Sequence, residues 1–141
     1  MIKEAYVSFE VAKLLKEKGF NELCNRVYEG PNLKYTTLPI SPLMSLGELG
    51  GFHPKQLYVT NSELGDIVYT APTHQMAMAW LREMHNIAIN IGWGEIFEDK
   101  FQWWCIILNQ KDGNILRESE YYSTYEEAVE AALKYVLKNL I

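Results

Sequence analysis

The stretch FQWWCIILNQKDGNILRESEYY, residues 101–122, decides the fold. It contains two runs rich in β-branched and aromatic residues, which favour strands, and the dipeptide Asp112-Gly113 lies between them. A two-residue type I′ turn needs positive φ at both central positions, and Asp-Gly tolerates this. The stretch therefore predicts a β-hairpin with strands near 101–110 and 114–122.

A third strand is predicted directly upstream. In NIAINIGW, residues 86–93, large apolar side chains alternate with small or polar ones, which is typical of a half-buried strand near 87–93. Three consecutive strands joined by short loops favour an antiparallel meander.

Three helices complete the prediction, near 8–18, 72–85 and 124–139. Ser8 is a suitable N-cap for the first, and the third begins with a capping box, either Ser123 with Glu126 or Thr124 with Glu127. Apolar sheets bury one face against helices. We therefore expect an α+β fold, a three-stranded antiparallel meander packed by about three helices, in a single domain over residues 1–141.

The segment from 31 to 66 differs from the rest of the chain. It is rich in proline and glycine, which disfavour long helices, and only QLYVT (56–60) has a strand-like composition. Its leucines and aromatic residues argue against a polar, disordered linker. We expect residues 31–66 to form an irregular cover segment that packs on the rest of the domain.

Charge and length exclude several classes of function. The formal net charge is −5 and the pI is about 5.2, whereas nucleic-acid binders usually carry a basic surface. No stretch has the length and apolarity of a membrane span. The two cysteines, Cys24 and Cys105, lie far apart and have no metal-binding or disulfide spacing. The sequence therefore predicts a reduced, cytoplasmic protein with no membrane partner, and its charge disfavours a nucleic-acid partner.

Two of the three histidines, His74 and His85, lie on the second predicted helix. Eleven residues return to nearly the same side of a helix but advance about 16 Å along its axis. One metal ion needs ligands about 2 Å away, so these two residues cannot chelate it together. We interpret them as flanking and capping residues of a core helix, and we predict no metal, no cofactor and no catalytic residues.

Two other functions stay open. A small enzyme would place its site between the cover segment and the sheet, using His53 with Glu48 or Asp66. A nucleic-acid-binding regulator would use the first helix in a helix-turn-helix, which requires a recognition helix soon after Gly19. The sequence NELCNRVYEG that follows is instead strand-like at Val27.

The run WWCIIL, residues 103–108, predicts an interaction surface because it is apolar on both faces of its strand. A sheet with helices on one face should alternate. The two-residue turn would gather six residues on one face: aromatic and apolar Trp103, Cys105, Ile107 and Tyr122, rimmed by Glu118 and Glu120. Aromatic centres with polar rims are typical of protein interfaces. Either the chain's own segment 31–66 covers this face, or the face binds a protein partner or a second copy of the chain; we predict that it is an interface.

Three stretches carry a resemblance: VSFEVAKLLKEKGF (7–20), APTHQMAMAWLREMHNIAI (71–89) and YSTYEEAVEAALKYVLKNLI (122–141). In these the chain resembles a family of small uncharacterised proteins from Bacteroides-type gut bacteria and their phages or mobile elements. The resemblance implies a bacterial or phage cytoplasmic setting and carries no catalytic motif. Together with the aromatic face, it favours a non-catalytic protein-interaction or regulatory module.

Overall fold

A computed structural model describes residues 1–36 and 57–141. It contains three α-helices and two three-stranded antiparallel sheets. The helices are α1 (Phe9–Glu17), α2 (His74–His85) and α3 (Tyr125–Asn139). The strands are β1 (Arg26–Glu29), β2 (Asn32–Tyr35), β3 (Val68–Thr70), β4 (Ile87–Phe97), β5 (Lys100–Asn109) and β6 (Ile115–Glu118).

The α+β class and the meander β4-β5-β6 are confirmed. All three helices begin and end within two residues of their predicted bounds, because their caps are local. Ser8 accepts a hydrogen bond from the Val11 amide, and Thr124 accepts one from the Glu127 amide, which selects Thr124 as the cap of α3. β4 extends four residues beyond the predicted end at Trp93.

The second sheet, β2-β1-β3, was not predicted. β1 and β2 form a hairpin around Gly30, which adopts a positive φ of 58°, so the first residues of the expected irregular segment are in fact a strand. In QLYVT, the described residues contribute a single isolated bridge, between Val59 and Cys24. Strands of three or four residues are too short to show alternation. The neighbouring glycine and proline residues led the sequence analysis to predict an irregular segment instead of a hairpin.

The predicted turn of the β5–β6 hairpin is wrong. Of the dipeptide, only Gly113 has positive φ, at 74°, and its amide donates to the carbonyl of Asn109. The Asn109 side chain accepts from the amide of Lys111 and the Asp112 side chain from that of Asn114. These local bonds stabilise a longer loop, as asparagine and aspartate side chains commonly do. The register of the hairpin therefore changes near the turn.

α2 and α3 pack on one face of the meander, α1 packs on α3 and β3, and both sheets contribute to a common core. Many of its fully buried side chains come from α1, α2, β5 and α3, among them Val11, Leu15, Leu81, Ile107, Leu133, Val136 and Leu137. Burying a side chain of this size contributes roughly 1.5–3 kcal/mol relative to exposing it. The apolar stripes of the three helices therefore account for the position of the core.

Candidate interaction surface

The structure divides the six predicted interaction residues among three environments. Cys105 and Ile107 are buried, at 1% and 0% exposure, on the face of β5 that α3 covers. Trp103 and Tyr122 are half-buried and pair across the sheet, as predicted, through hydrogen bonds of 2.8 and 2.7 Å between their backbones. Over Cys105 and Ile107 the cover is intramolecular and is the helix α3.

The two rim glutamates do not lie beside Ile107. The longer turn pairs Ile107 with Arg117 and Ile106 with Glu118, so Glu118 belongs to the face opposite α3. A one-residue change of register moves a side chain to the other face of a sheet. Arg117 lies on the helix side instead, 4.1 Å from the ring centre of Tyr135. Glu120 is exposed beyond the end of β6.

The cover of α2 and α3 ends partway along the β4–β5 hairpin. On the helix side of β4, Ile87 and Ile89 are buried, Ile91 is half-buried and Trp93 is 55% exposed. α3 begins at Tyr125, whose ring meets Trp103 edge-on with the ring centres 5.3 Å apart. We call the residues before this point, 87–91 and 105–109, the covered half, and residues 92–97 and 100–104 the exposed half.

Aromatic side chains dominate the exposed half. Trp93 and Phe101 stack with ring centres 4.9 Å apart and planes inclined by 20°, and Trp103 lies 6.3 Å from Trp93. Phe101 is 50% exposed, and Phe97 near the hairpin tip is 68% exposed. Aromatic residues bury large areas and are enriched at interfaces. The sequence prediction missed Phe97 because it ended the strand at Trp93, and it missed Trp93 and Phe101 because it built the surface from the β5–β6 hairpin alone.

On the opposite face of the exposed half, the side chain of Trp104 covers the backbone of β4. The indole of Trp104 lies across β4 at two glycines: a Cβ atom at Gly92 would collide with it, and one at Gly94 would lie 3.3 Å from it. Tyr121 meets Trp104 edge-on with ring centres 6.4 Å apart. The glycines therefore make room for Trp104, which explains two positions that resemble loop residues in the sequence.

β4 and β6 are the two edges of this sheet, and they differ. β6 has four residues, all exposed, carries Arg117 and Glu118, and its pairing with β5 is irregular beside Ile107. β4 has 11 residues, one charge, at Glu95, and no irregularity before Glu95. Short, charged or bulged edges prevent further strand pairing, whereas long apolar edges permit it. Within the described ranges no strand pairs with the outer edge of β4.

His74 belongs to a buried polar centre that joins the helices. Its Nε2 lies 2.9 Å from Oε1 of Glu130 on α3, and the same oxygen accepts from the Ser8 amide at the start of α1. Burial opposes the charged carboxylate, but the hydrogen bonds from His74 and Ser8 outweigh it, so the pKa of Glu130 is lowered. This centre holds three helices together. His85 instead packs against Trp80, with ring centres 4.7 Å apart.

The cysteines lack the features of nucleophiles. Burial raises the pKa of Cys24 to about 11, and burial also raises the pKa of Cys105. A thiol must ionise to attack, so both are poorly reactive.

Among residues 1–36 and 57–141, no three histidine, cysteine or acidic side chains are placed to hold a metal ion. His53 and Glu48, expected in the enzyme alternative, lie outside the described residues, and Asp66 is exposed.

The helix-turn-helix alternative required a recognition helix soon after Gly19. Residues 20–25 form no helix, and the next element is the strand Arg26–Glu29. The helices within the described residues are also too short or too polar to cross a bilayer.

Comparisons with family models, with curated proteins and with solved structures gave no match for this chain.

Proposed function

We propose that the chain is a non-catalytic protein-interaction module, which binds an extended segment of another polypeptide along the outer edge of β4. The observation that carries the proposal is the exposed half of the hairpin. There an apolar face continues beyond the helices that cover it, beside a long edge strand that carries one charge and pairs regularly with β5 as far as Glu95. In strand addition, backbone hydrogen bonds supply affinity and side-chain contacts supply specificity.

Trp93 is the central contact of the proposed surface. It lies in β4, it is 55% exposed, and Phe101 and Trp103 support its ring from the neighbouring strand. Tryptophan is among the residues that contribute most to binding energy at interfaces. A rigid, supported ring also loses little conformational entropy on binding. The surface therefore combines a backbone edge with an aromatic anchor.

The proposed setting is a reduced bacterial or phage cytoplasm. Two buried, unpaired cysteines support a reducing compartment, and the resemblance of three stretches to proteins of gut bacteria and their mobile elements supports the source. A regulatory role would follow if the bound segment controlled the activity of its own protein. The chain itself would supply only the binding surface.

Selection from a displayed library of random peptides tests the proposal. Wild-type protein is immobilised at low density, and enriched peptides are then measured against Trp93→Thr and Ile115→Thr. Ile115 is a matched control because it is 56% exposed and lies on the other edge of the sheet. We expect binding that Trp93→Thr removes and Ile115→Thr retains. Enriched peptides that bind both variants equally, or no enrichment at all, would contradict the proposal.

A further inference from the structure

We infer that the segment bound at β4 is the β4 strand of a second copy of this chain, in antiparallel pairing. The inference rests on the proposed function and goes further, because it names the partner. A two-fold dimer needs only one self-complementary surface, and antiparallel pairing of a strand with itself has this symmetry. Two copies would join their meanders into one six-stranded sheet.

The charge pattern along β4 suits pairing with itself. Glu95 is its single charged residue. When the two-fold axis passes beside Trp93, antiparallel pairing places Glu95 opposite Ile91 of the second copy, and the two Trp93 side chains face each other. No like charges are then directly opposed, and aromatic side chains are favourable cross-strand neighbours. β6 is less suited, because it is short, Arg117 and Glu118 are half of its four residues, and its pairing with β5 is irregular beside Ile107.

The same axis accounts for the length of β4. The helices cover residues 87–91 and leave residues 92–97 exposed, and antiparallel pairing brings the covered half of each copy beside the exposed half of the other. Each aromatic end then lies next to the helical layer of the second copy. The exposure of Trp93 in a single chain is the expected consequence.

Salt distinguishes a second copy from a basic partner. Each copy carries a formal charge of −5, so two copies repel one another and added salt should strengthen their association by screening. A lysine- or arginine-rich partner would be attracted to the same acidic chain, and salt would weaken that complex. The sign of the salt effect therefore identifies the partner class.

Sedimentation velocity over a range of protein concentrations, at low and moderate salt, tests the inference. We compare the wild type with Trp93→Lys and Ile115→Lys, which each add one positive charge at equally exposed positions on opposite edges. We expect a wild-type dimer that tightens with salt. Trp93→Lys should weaken it by roughly 30-fold or more, as loss of an interface hot spot does, and Ile115→Lys should not weaken it.

Trp93→Thr serves as a second variant, because threonine keeps strand propensity if lysine prevents folding. A dimer that survives both Trp93 substitutions would overturn the inference by placing self-association elsewhere. A wild type that stays monomeric at every concentration would also overturn it. In that case Trp93-dependent peptide selection would still support the proposed function, so the two failures are distinguishable.

Discussion

Both halves of the β4–β5 hairpin carry large apolar side chains on the same face, but helices cover only one of the halves. In the covered half, Ile89 and Ile107 are buried against the helices; in the exposed half, Trp93 and Phe101 continue the same face into solvent. Apolar side chains that a helix covers stabilise the fold, whereas a contiguous exposed set marks a binding surface. A periodic strand pattern alone cannot distinguish these two uses.

The largest expected effect is a loss of stability when a side chain of the covered half is truncated. Ile107→Ala removes a fully buried side chain beneath α3, and we expect the free energy of unfolding to fall by about 2–5 kcal/mol. Ile106→Ala, on the neighbouring half-buried position of the opposite face, should cost less than half as much. Urea unfolding followed by circular dichroism measures both. Equal losses would contradict the assignment of the covered face.

A substitution at Gly92 tests whether Trp104 packs against the backbone of β4 in the exposed half. Gly92→Ala places a Cβ atom in the volume of the Trp104 indole, and displacing that ring should cost about 1–3 kcal/mol. Gly65→Ala is the matched control, because no atom lies within 4 Å of the added Cβ and the φ of Gly65 is not positive. Thermal unfolding and tryptophan fluorescence should change for Gly92→Ala alone. An unchanged Gly92→Ala protein would mean that Trp104 does not pack there.

Glu130 tests what holds the helices over the covered half. Its folded-state pKa is lowered from about 4.5, so its stabilising contribution is fully present above that pH and is lost as pH falls through the folded-state pKa. Glu130→Gln should reduce stability by about 1–3 kcal/mol at pH 7, since it removes charged hydrogen bonds to His74 and Ser8. Unfolding measured from pH 7 to pH 3 should show the difference from the wild type shrinking with acid. A difference that stays constant would contradict the role of the carboxylate.

The smallest expected effect on stability is at the proposed anchor. Trp93→Thr should change the free energy of unfolding by no more than about 1 kcal/mol, because the side chain is largely exposed. Chemical unfolding at a protein concentration at which sedimentation shows a monomer measures this change. A loss comparable to that of Ile107→Ala would mean that Trp93 is a core residue and would remove the main support for the interaction surface.

Much of the fold could be predicted because its signals are local. Ser8 caps α1, the apolar faces of α2 and α3 repeat at the helical period, and residues 87–93 alternate as a strand does. The second sheet could not be predicted in the same way, since its strands have three or four residues and depend on pairing with distant segments. Local composition does not report such partners.

The candidate site was predicted less well, for two physical reasons. Side chains of Asn109 and Asp112 bond to nearby amides and lengthen the turn, and this moved Glu118 to the other face of the sheet. Gly94 and Glu95 resembled loop residues, so the continuation of the strand to Phe97 was missed. The β-favouring residues Ile96 and Phe97 directly after Glu95 are the sequence signal that could have extended it.

Amide hydrogen exchange along both sheet edges tests most directly whether the exposed half of β4 is the binding surface. Exchange rates of individual amides are measured on wild-type protein at low and at high concentration, and sedimentation velocity reports association at each. We predict that the outward-facing amides of residues 90–96 exchange more slowly at high concentration, while those of Ile115–Glu118 do not change. Slowing confined to β6, or rates in β4 that do not depend on concentration while the protein associates, would contradict the account.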